Sequence, residues 1–116
     1  MKRREASACQ HETHAAWRTD YPLEEIAVAA AMCKALGDPA RLRLLLRLVS
    51  EERCVSELVA LEGEKLSTIS ARLRLLSSAR LVTKRRESKH IYYSLADDHV
   101  RSLIDNVLQH ATEPAT

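Results

Sequence analysis

Apolar and polar positions along the chain repeat with a helical period in most segments and with a period of two in one. After Pro22, LEEIAVAAAMCKAL is largely apolar and opens on Glu24 and Glu25. Acids in a first turn complement the positive end of the helix dipole, so this stretch predicts a helix. GDPARLRLLLRLVS predicts the next, with Asp38 as N-cap, Pro39 at the first helical position and Leu42, Leu45, Leu46 and Val49 at core spacing. CVSELVAL reads as a short helix capped by Ser56, and EGEKL turns the chain at Gly63. STISARLRLLSSARL follows with Ser67 as cap and Ile69, Leu73 and Leu76 inward. Two short helices joined by a tight turn form a helix-turn-helix pattern. The period then changes to two: LVTKRRE and KHIYYSL are strands of β-formers flanking a polar turn at Glu87 and Ser88. The last helix is DDHVRSLIDNVLQHATE.

This order predicts a mainly α fold with a small β-hairpin, a winged helix-turn-helix with an additional C-terminal dimerisation helix. Residues 1–20 lack sustained periodicity and read as a flexible N-terminal arm, leaving 21–113 as the winged-helix DNA-binding and dimerisation domain. A chain of 116 residues, 46% hydrophobic, is long enough for one modest core. Its two glycines form no loop to cradle a nucleotide phosphate, which argues against nucleotide-dependent chemistry. The longest apolar run, IAVAAAMC, falls far short of the ~18 residues that span a bilayer, so a cytoplasmic protein without a membrane partner is expected. Three cysteines with no secretion signal point to reduced thiols.

Charge changes the picture because it is unevenly placed. Residues 65–89 carry Lys65, Arg72, Arg74, Arg80, Lys84, Arg85, Arg86 and Lys89 against Glu87 alone, a net +7, while the rest of the chain is −5. A basic block on an acidic chain is the footprint expected of a nucleic-acid-binding face. A solvated helix followed by a charged edge strand accounts for the same residues without DNA. With Ile69, Leu73 and Leu76 inward, Ser67, Ser70, Ala71 and Arg74 lie outward on the second helix of the motif, and Thr68 and Arg72 flank them. That helix fits a B-DNA major groove about 12 Å wide, and only an arginine among these offers a bidentate contact with guanine. Arg85, Arg86 and Lys89 at the hairpin tip read as phosphate clamps.

The last helix holds ligand-type residues at both ends. His99 and His110 are eleven residues apart, about three helical turns, so Asp97 with His99 and His110 with Glu113 face the same way. They stand roughly 16 Å apart at ~1.5 Å per residue, too far for one metal within one helix. Two copies packed antiparallel about a twofold axis would bring Asp97 and His99 of one chain to His110 and Glu113 of the other. Leu103 and Val107 continue the His99 to His110 stripe, and Val100, Ile104, Leu108 and Ala111 form a second. A surface helix with Asp97 or Asp98 as N-cap and a solvated last turn fits the same residues.

ALGDPARLRLLLRL, ERCVSEL, STISARLRLLSSARLV, IYYSL and the DDH…H…E tail together resemble the ArsR/SmtB family of metal-sensing repressors over residues 30–113. The resemblance implies a homodimeric transcriptional repressor that occupies its operator when metal-free and is released on binding Zn(II) or a related ion. Asp97, His99, His110 and Glu113 match residue by residue the ligands of the family's interfacial zinc site on the last helix. In family members ERCVSEL holds a thiolate ligand, here Cys54, of a second site completed by the N-terminal arm, where Cys9, His11 and His14 stand. Ser56 and Glu57 depart from that pattern, which often has a second cysteine and an aspartate there. Thiolates would select Cd(II), Pb(II) or Cu(I), and two imidazoles with two carboxylates suit Zn(II). Cys54 also fits a small buried hydrophobe, and Cys33, on an apolar helix face, is expected in the core. His90 is expected to face solvent, and Tyr92 and Tyr93 to alternate between inside and outside. A thiol redox switch is an alternative trigger. A zinc enzyme is disfavoured, because four protein ligands close the shell and leave no small-molecule substrate a coordination position.

Overall fold

The computed structural model describes residues 17–115. Among these residues five helices and three short strands follow one another as α1 (Leu23–Leu36), α2 (Pro39–Arg47), β1 (Arg53–Cys54), α3 (Val55–Glu62), α4 (Leu66–Ser78), β2 (Val82–Glu87), β3 (His90–Leu95) and α5 (Asp98–Thr112). The expected helices, helix-turn-helix and hairpin are all present.

Local chemistry explains the entry to α2. Asp38 has extended backbone and its carboxylate accepts the Arg41 N–H at 3.0 Å, with Pro39 at the first helical position. Arg41 also donates from Nε to the Ala35 carbonyl at 2.8 Å, satisfying one of the acceptors that a helix end leaves open. α2 is thereby fastened to the end of α1. Its buried residues are Leu44 and Leu45, with Leu48 buried at the C-cap, while Leu46 is exposed and Leu42 and, just past the helix, Val49 are only partly buried. The helical period is as expected but its phase is rotated. A run of leucines at 42, 44, 45, 46 and 48 offers more than one stripe, and the ties of Arg41 to α1 and of Arg43 and Arg47 to Glu62 select among them.

α3 begins two residues earlier than a Ser56 cap would allow. Arg53 and Cys54 pair with Tyr93 and Tyr92 as an antiparallel strand, so the backbone is extended up to Cys54, the actual N-cap. The Glu57 carboxylate accepts the Cys54 N–H at 3.0 Å. This third strand is two residues long, too short to show an alternation in the sequence. α3 ends at Gly63, whose φ of 66° lies in the left-handed region that glycine occupies without strain. Lys65, rather than Ser67, is the N-cap of α4, and its carbonyl accepts the first helical N–H, from Ile69, at 3.1 Å.

The sheet order is β1-β3-β2, and the hairpin pairs Val82 with Leu95 through to Glu87 with His90. The turn is Ser88 and Lys89 rather than Glu87 and Ser88, with Ser88 at a positive φ of 60°. Tyr93 is buried beside the half-buried Tyr92, as alternation requires, and His90 is exposed. Leu58, Ile69, Leu73, Leu76, Leu81 and Ile104 form the fully buried centre between the helices and the sheet. Cys33 is not in that core. α1 buries only Ala35, and Cys33 is exposed together with Leu23, Ile26 and Val28. An apolar helix with one buried residue leaves a hydrophobic face uncovered in the single chain.

Glu62, the last residue of α3, has no exposed side-chain surface and accepts from Arg43 Nε at 2.7 Å and Arg47 Nε at 2.8 Å. Burial pushes its carboxyl upward, but the hydrogen bonds from the two guanidiniums outweigh burial and hold it below the ordinary carboxylate value. A depressed folded-state value means that the contribution is complete above the unfolded-state value and lost as pH falls through the folded one. Glu62→Gln should therefore lower stability by about 1.5–3 kcal/mol at neutral pH, the range for hydrogen bonds to charged groups. In urea unfolding at a series of pH values, the gap from the parent chain should narrow on acidification. A constant gap would mean that the carboxylate's charge is not what matters.

Candidate nucleic-acid interface and metal-ligating helix

Ser67, Ala71 and Arg74 are exposed on α4, and Thr68 and Ser70 are half-buried beside them. Arg74 forms no ion pair with another described residue. Arg72 differs: it is half-buried, its Nη2 is 3.8 Å from Glu64, and its Nη1 is buried without an acceptor among the described residues. Among the described residues α4 therefore offers one guanidinium without an ion-pair partner, Arg74 in its middle, and a row of small hydroxyl and methyl groups.

The hairpin divides its cations by strand alternation. Lys84 lies opposite Tyr93 and Arg86 opposite Ile91, so they share one face, and Arg85 lies opposite Tyr92 on the other. Lys84, Arg86 and Lys89 are exposed and make no ion pair with another described residue. Arg85 donates from Nε to Glu52 at 2.8 Å and from Nη1 to Glu87, and its guanidinium lies 4.7 Å from the centre of the Tyr92 ring. Lys84 was not among the expected phosphate clamps, although the period of two in VTKRRE already places it with Arg86. A cavity of about 380 Å³ between α4 and the hairpin is lined by Cys54, Ser70, Lys89 and His90 among others. The Cys54 thiol is buried with Sγ 3.1 Å from the Ser56 hydroxyl. Cys9, His11 and His14 lie outside the described residues, so this geometry contains one member of the expected thiolate site.

On α5, Asp97 is the N-cap, its Oδ1 accepting the Val100 N–H at 3.0 Å. The same oxygen lies 3.8 Å from His99 Nδ1, and at the other end His110 Nδ1 lies 3.5 Å from Glu113 Oε1. The side chains of His99 and His110 are 99% and 88% exposed. Capping and ligation are compatible, because the cap holds the Asp97 carboxylate at the helix entry through Oδ1 and no described residue engages Oδ2. Val100 and Ile104 are buried in the chain's own core and Leu108 packs against it, while Leu103 is half-buried and Val107 is exposed. The inner stripe thus anchors the helix, and the outer one, framed by the two His–carboxylate pairs, lies on its outer side. Among the described residues no three ligand-type side chains converge, so α5 carries two half-sets of two. Two imidazoles and two carboxylates are the donor types that bind Zn(II) with four ligands. Among the described residues no helix is long and apolar enough to cross a membrane.

Residues 38–84 match the family model described as bacterial regulatory protein, arsR family. A transcriptional repressor SmtB homolog of Synechocystis sp. is 43% identical over 91 residues, covering 78% of this chain and 69% of that one. A cadmium resistance transcriptional regulatory protein CadC homolog of Staphylococcus aureus is 35% identical over 88 residues, covering 75% and 73%. Among solved structures, a homodimeric winged helix-turn-helix DNA-binding domain from Mycobacterium bovis superposes with a TM-score of 0.76 at 32% identity, covering 94% of each chain.

Proposed function

The chain belongs to the arsR family of bacterial regulatory proteins, and on that premise we propose that it is a transcriptional repressor that binds operator DNA as a homodimer and is released by Zn(II) or a related ion. The observation that carries the metal response is the outer stripe of α5, with Asp97 and His99 at one end and His110 and Glu113 at the other. One chain cannot close a four-ligand shell with them. A second copy packed antiparallel on that stripe supplies the complementary half-set, and the exposed face of α1 gives it further apolar surface to cover. A filled shell leaves no open position for a substrate, so the ion acts as a regulator and not as a catalyst.

The DNA reading rests on α4 entering the major groove, with Ser67, Thr68, Ser70, Ala71 and Arg74 towards the bases and Arg86, Lys89 and Lys84 towards phosphates. Cys54, with Cys9, His11 and His14 of the arm, would form a second, softer site for Cd(II), Pb(II) or Cu(I). A titration of operator binding against a panel of metals separates the two. Zn(II) should weaken operator binding by roughly 5–150-fold, the usual range of coupling between sites, and His99→Ala should abolish that response. A Cd(II) complex should show thiolate charge-transfer absorption that is lost in Cys54→Ser. Operator binding indifferent to every metal would overturn the proposal.

A further inference from the structure

Among the described residues, Arg85 differs from every other cation of the basic block in having two carboxylates for partners. Glu52 comes from the loop between α2 and β1, Glu87 from the end of β2, and the face of Tyr92 from β3. One positive charge between two negative ones leaves the cluster with a net negative charge, which repels phosphate. Strand alternation also turns Arg85 to the face opposite Lys84 and Arg86. A single exposed ion pair contributes little, but a planar guanidinium held by two acceptors and stacked on a ring links three segments at once. Glu52 also directly precedes Arg53, which pairs with Tyr93, so the contact continues the β1-β3 ladder out to the hairpin.

We propose that Arg85 is a positioning residue, a brace that fixes the hairpin against the Glu52 loop, while Arg86, Lys84 and Lys89 make the phosphate contacts. The proposal rests on the DNA-binding reading above only for its consequence in affinity; the brace itself is a property of the free protein. Lysine keeps the charge but lacks the planar fork, so Arg85→Lys should fail to substitute.

The test uses the full chain with Arg85→Lys, Arg85→Ala, Glu52→Gln and Arg86→Ala, measuring binding to an operator duplex over a range of salt concentrations. Arg85→Lys and Glu52→Gln should each weaken binding roughly two- to fivefold, the range of a well-placed surface pair. Arg85→Ala should leave the salt slope unchanged, whereas Arg86→Ala should reduce it by about 0.9, one phosphate contact on B-DNA. Loss of Glu52 removes a negative charge, so simple electrostatics demands tighter binding and the brace demands weaker. In the free protein, backbone amides of residues 84–91 should exchange faster in Arg85→Lys and Glu52→Gln. Unchanged exchange would overturn the brace, as would an Arg85→Lys chain with full affinity alongside an Arg85→Ala chain with a reduced slope. If the parent chain binds no duplex in a salt-dependent way, the DNA reading fails, and the exchange data alone decide the brace.

Discussion

Leu73→Ala should cost about 2–5 kcal/mol of folding stability, whereas Arg74→Ala, one residue further along the same helix, should cost almost none. Leu73 is fully buried against the helices and sheet, so truncation removes its burial and leaves a cavity that close-packed neighbours fill only in part. Measured against a typical total of about 5–15 kcal/mol, that is a large share. Arg74 is exposed and makes no ion pair with another described residue, so the free protein loses nothing with it. Operator binding should fall in both variants for different reasons. The Leu73→Ala deficit should follow the unfolded fraction and recover when denaturing conditions are relaxed. The Arg74→Ala deficit should persist in fully folded protein and, for a contact to guanine, amount to about 1–3 kcal/mol at one base pair only. Urea midpoints at fixed protein concentration check the first claim, since dimerisation makes stability concentration-dependent. A Leu73→Ala chain within 1 kcal/mol of the parent would mean that α4 is not packed as described.

The features legible in the sequence were those set by chemistry within a few residues. Asp38 and Asp97 are caps because a short carboxylate followed by a helical pattern satisfies open N–H groups locally, and both cap the N–H three residues on. Ile69, Leu73 and Leu76 are buried because they stand at helical spacing on one face of α4, while Leu75, off that face, is exposed. The features that escaped depend on partners distant in sequence. Cys54 replaces Ser56 as a cap because β1 pairs with β3 some forty residues later, and the phase of α2 is selected by ties to Ala35 and Glu62. Cys33 looked like a core residue because α1 is apolar nearly all round, and composition cannot say which face a single chain leaves bare. The pairing of Arg85 with Glu52, thirty-three residues earlier in the chain, is invisible to charge counting. Asp97 with His99 and His110 with Glu113 stood out by their spacing and by the family resemblance, and their ligation of a metal across two chains is a matter for experiment.

Mixed dimers provide that experiment. If each zinc is held by Asp97 and His99 of one chain and by His110 and Glu113 of the other, a dimer has two equivalent sites, and any single-ligand variant damages both when homodimeric. Pairing a His99→Ala chain with a His110→Ala chain places both lesions in one site and leaves the other with all four ligands. The mixed dimer should therefore bind one zinc with the parent affinity, while either homodimer should be weakened more than ~100-fold, since even disturbing a group that only supports a ligand costs about 10–100-fold. Calorimetry on dimers carrying distinct affinity tags reads both stoichiometry and affinity. The intact site should still favour the DNA-released state, because a ligand shifts an equilibrium by its differential affinity for the two states. That coupling is reciprocal, so operator DNA should weaken zinc binding to the mixed dimer by the factor by which zinc weakens its operator binding. A mixed dimer that loses both sites would place the histidines in different sites from those described. A chain that keeps full zinc affinity as a monomer would show that the two half-sets need no partner, which the ~16 Å between them on one helix forbids unless α5 itself bends.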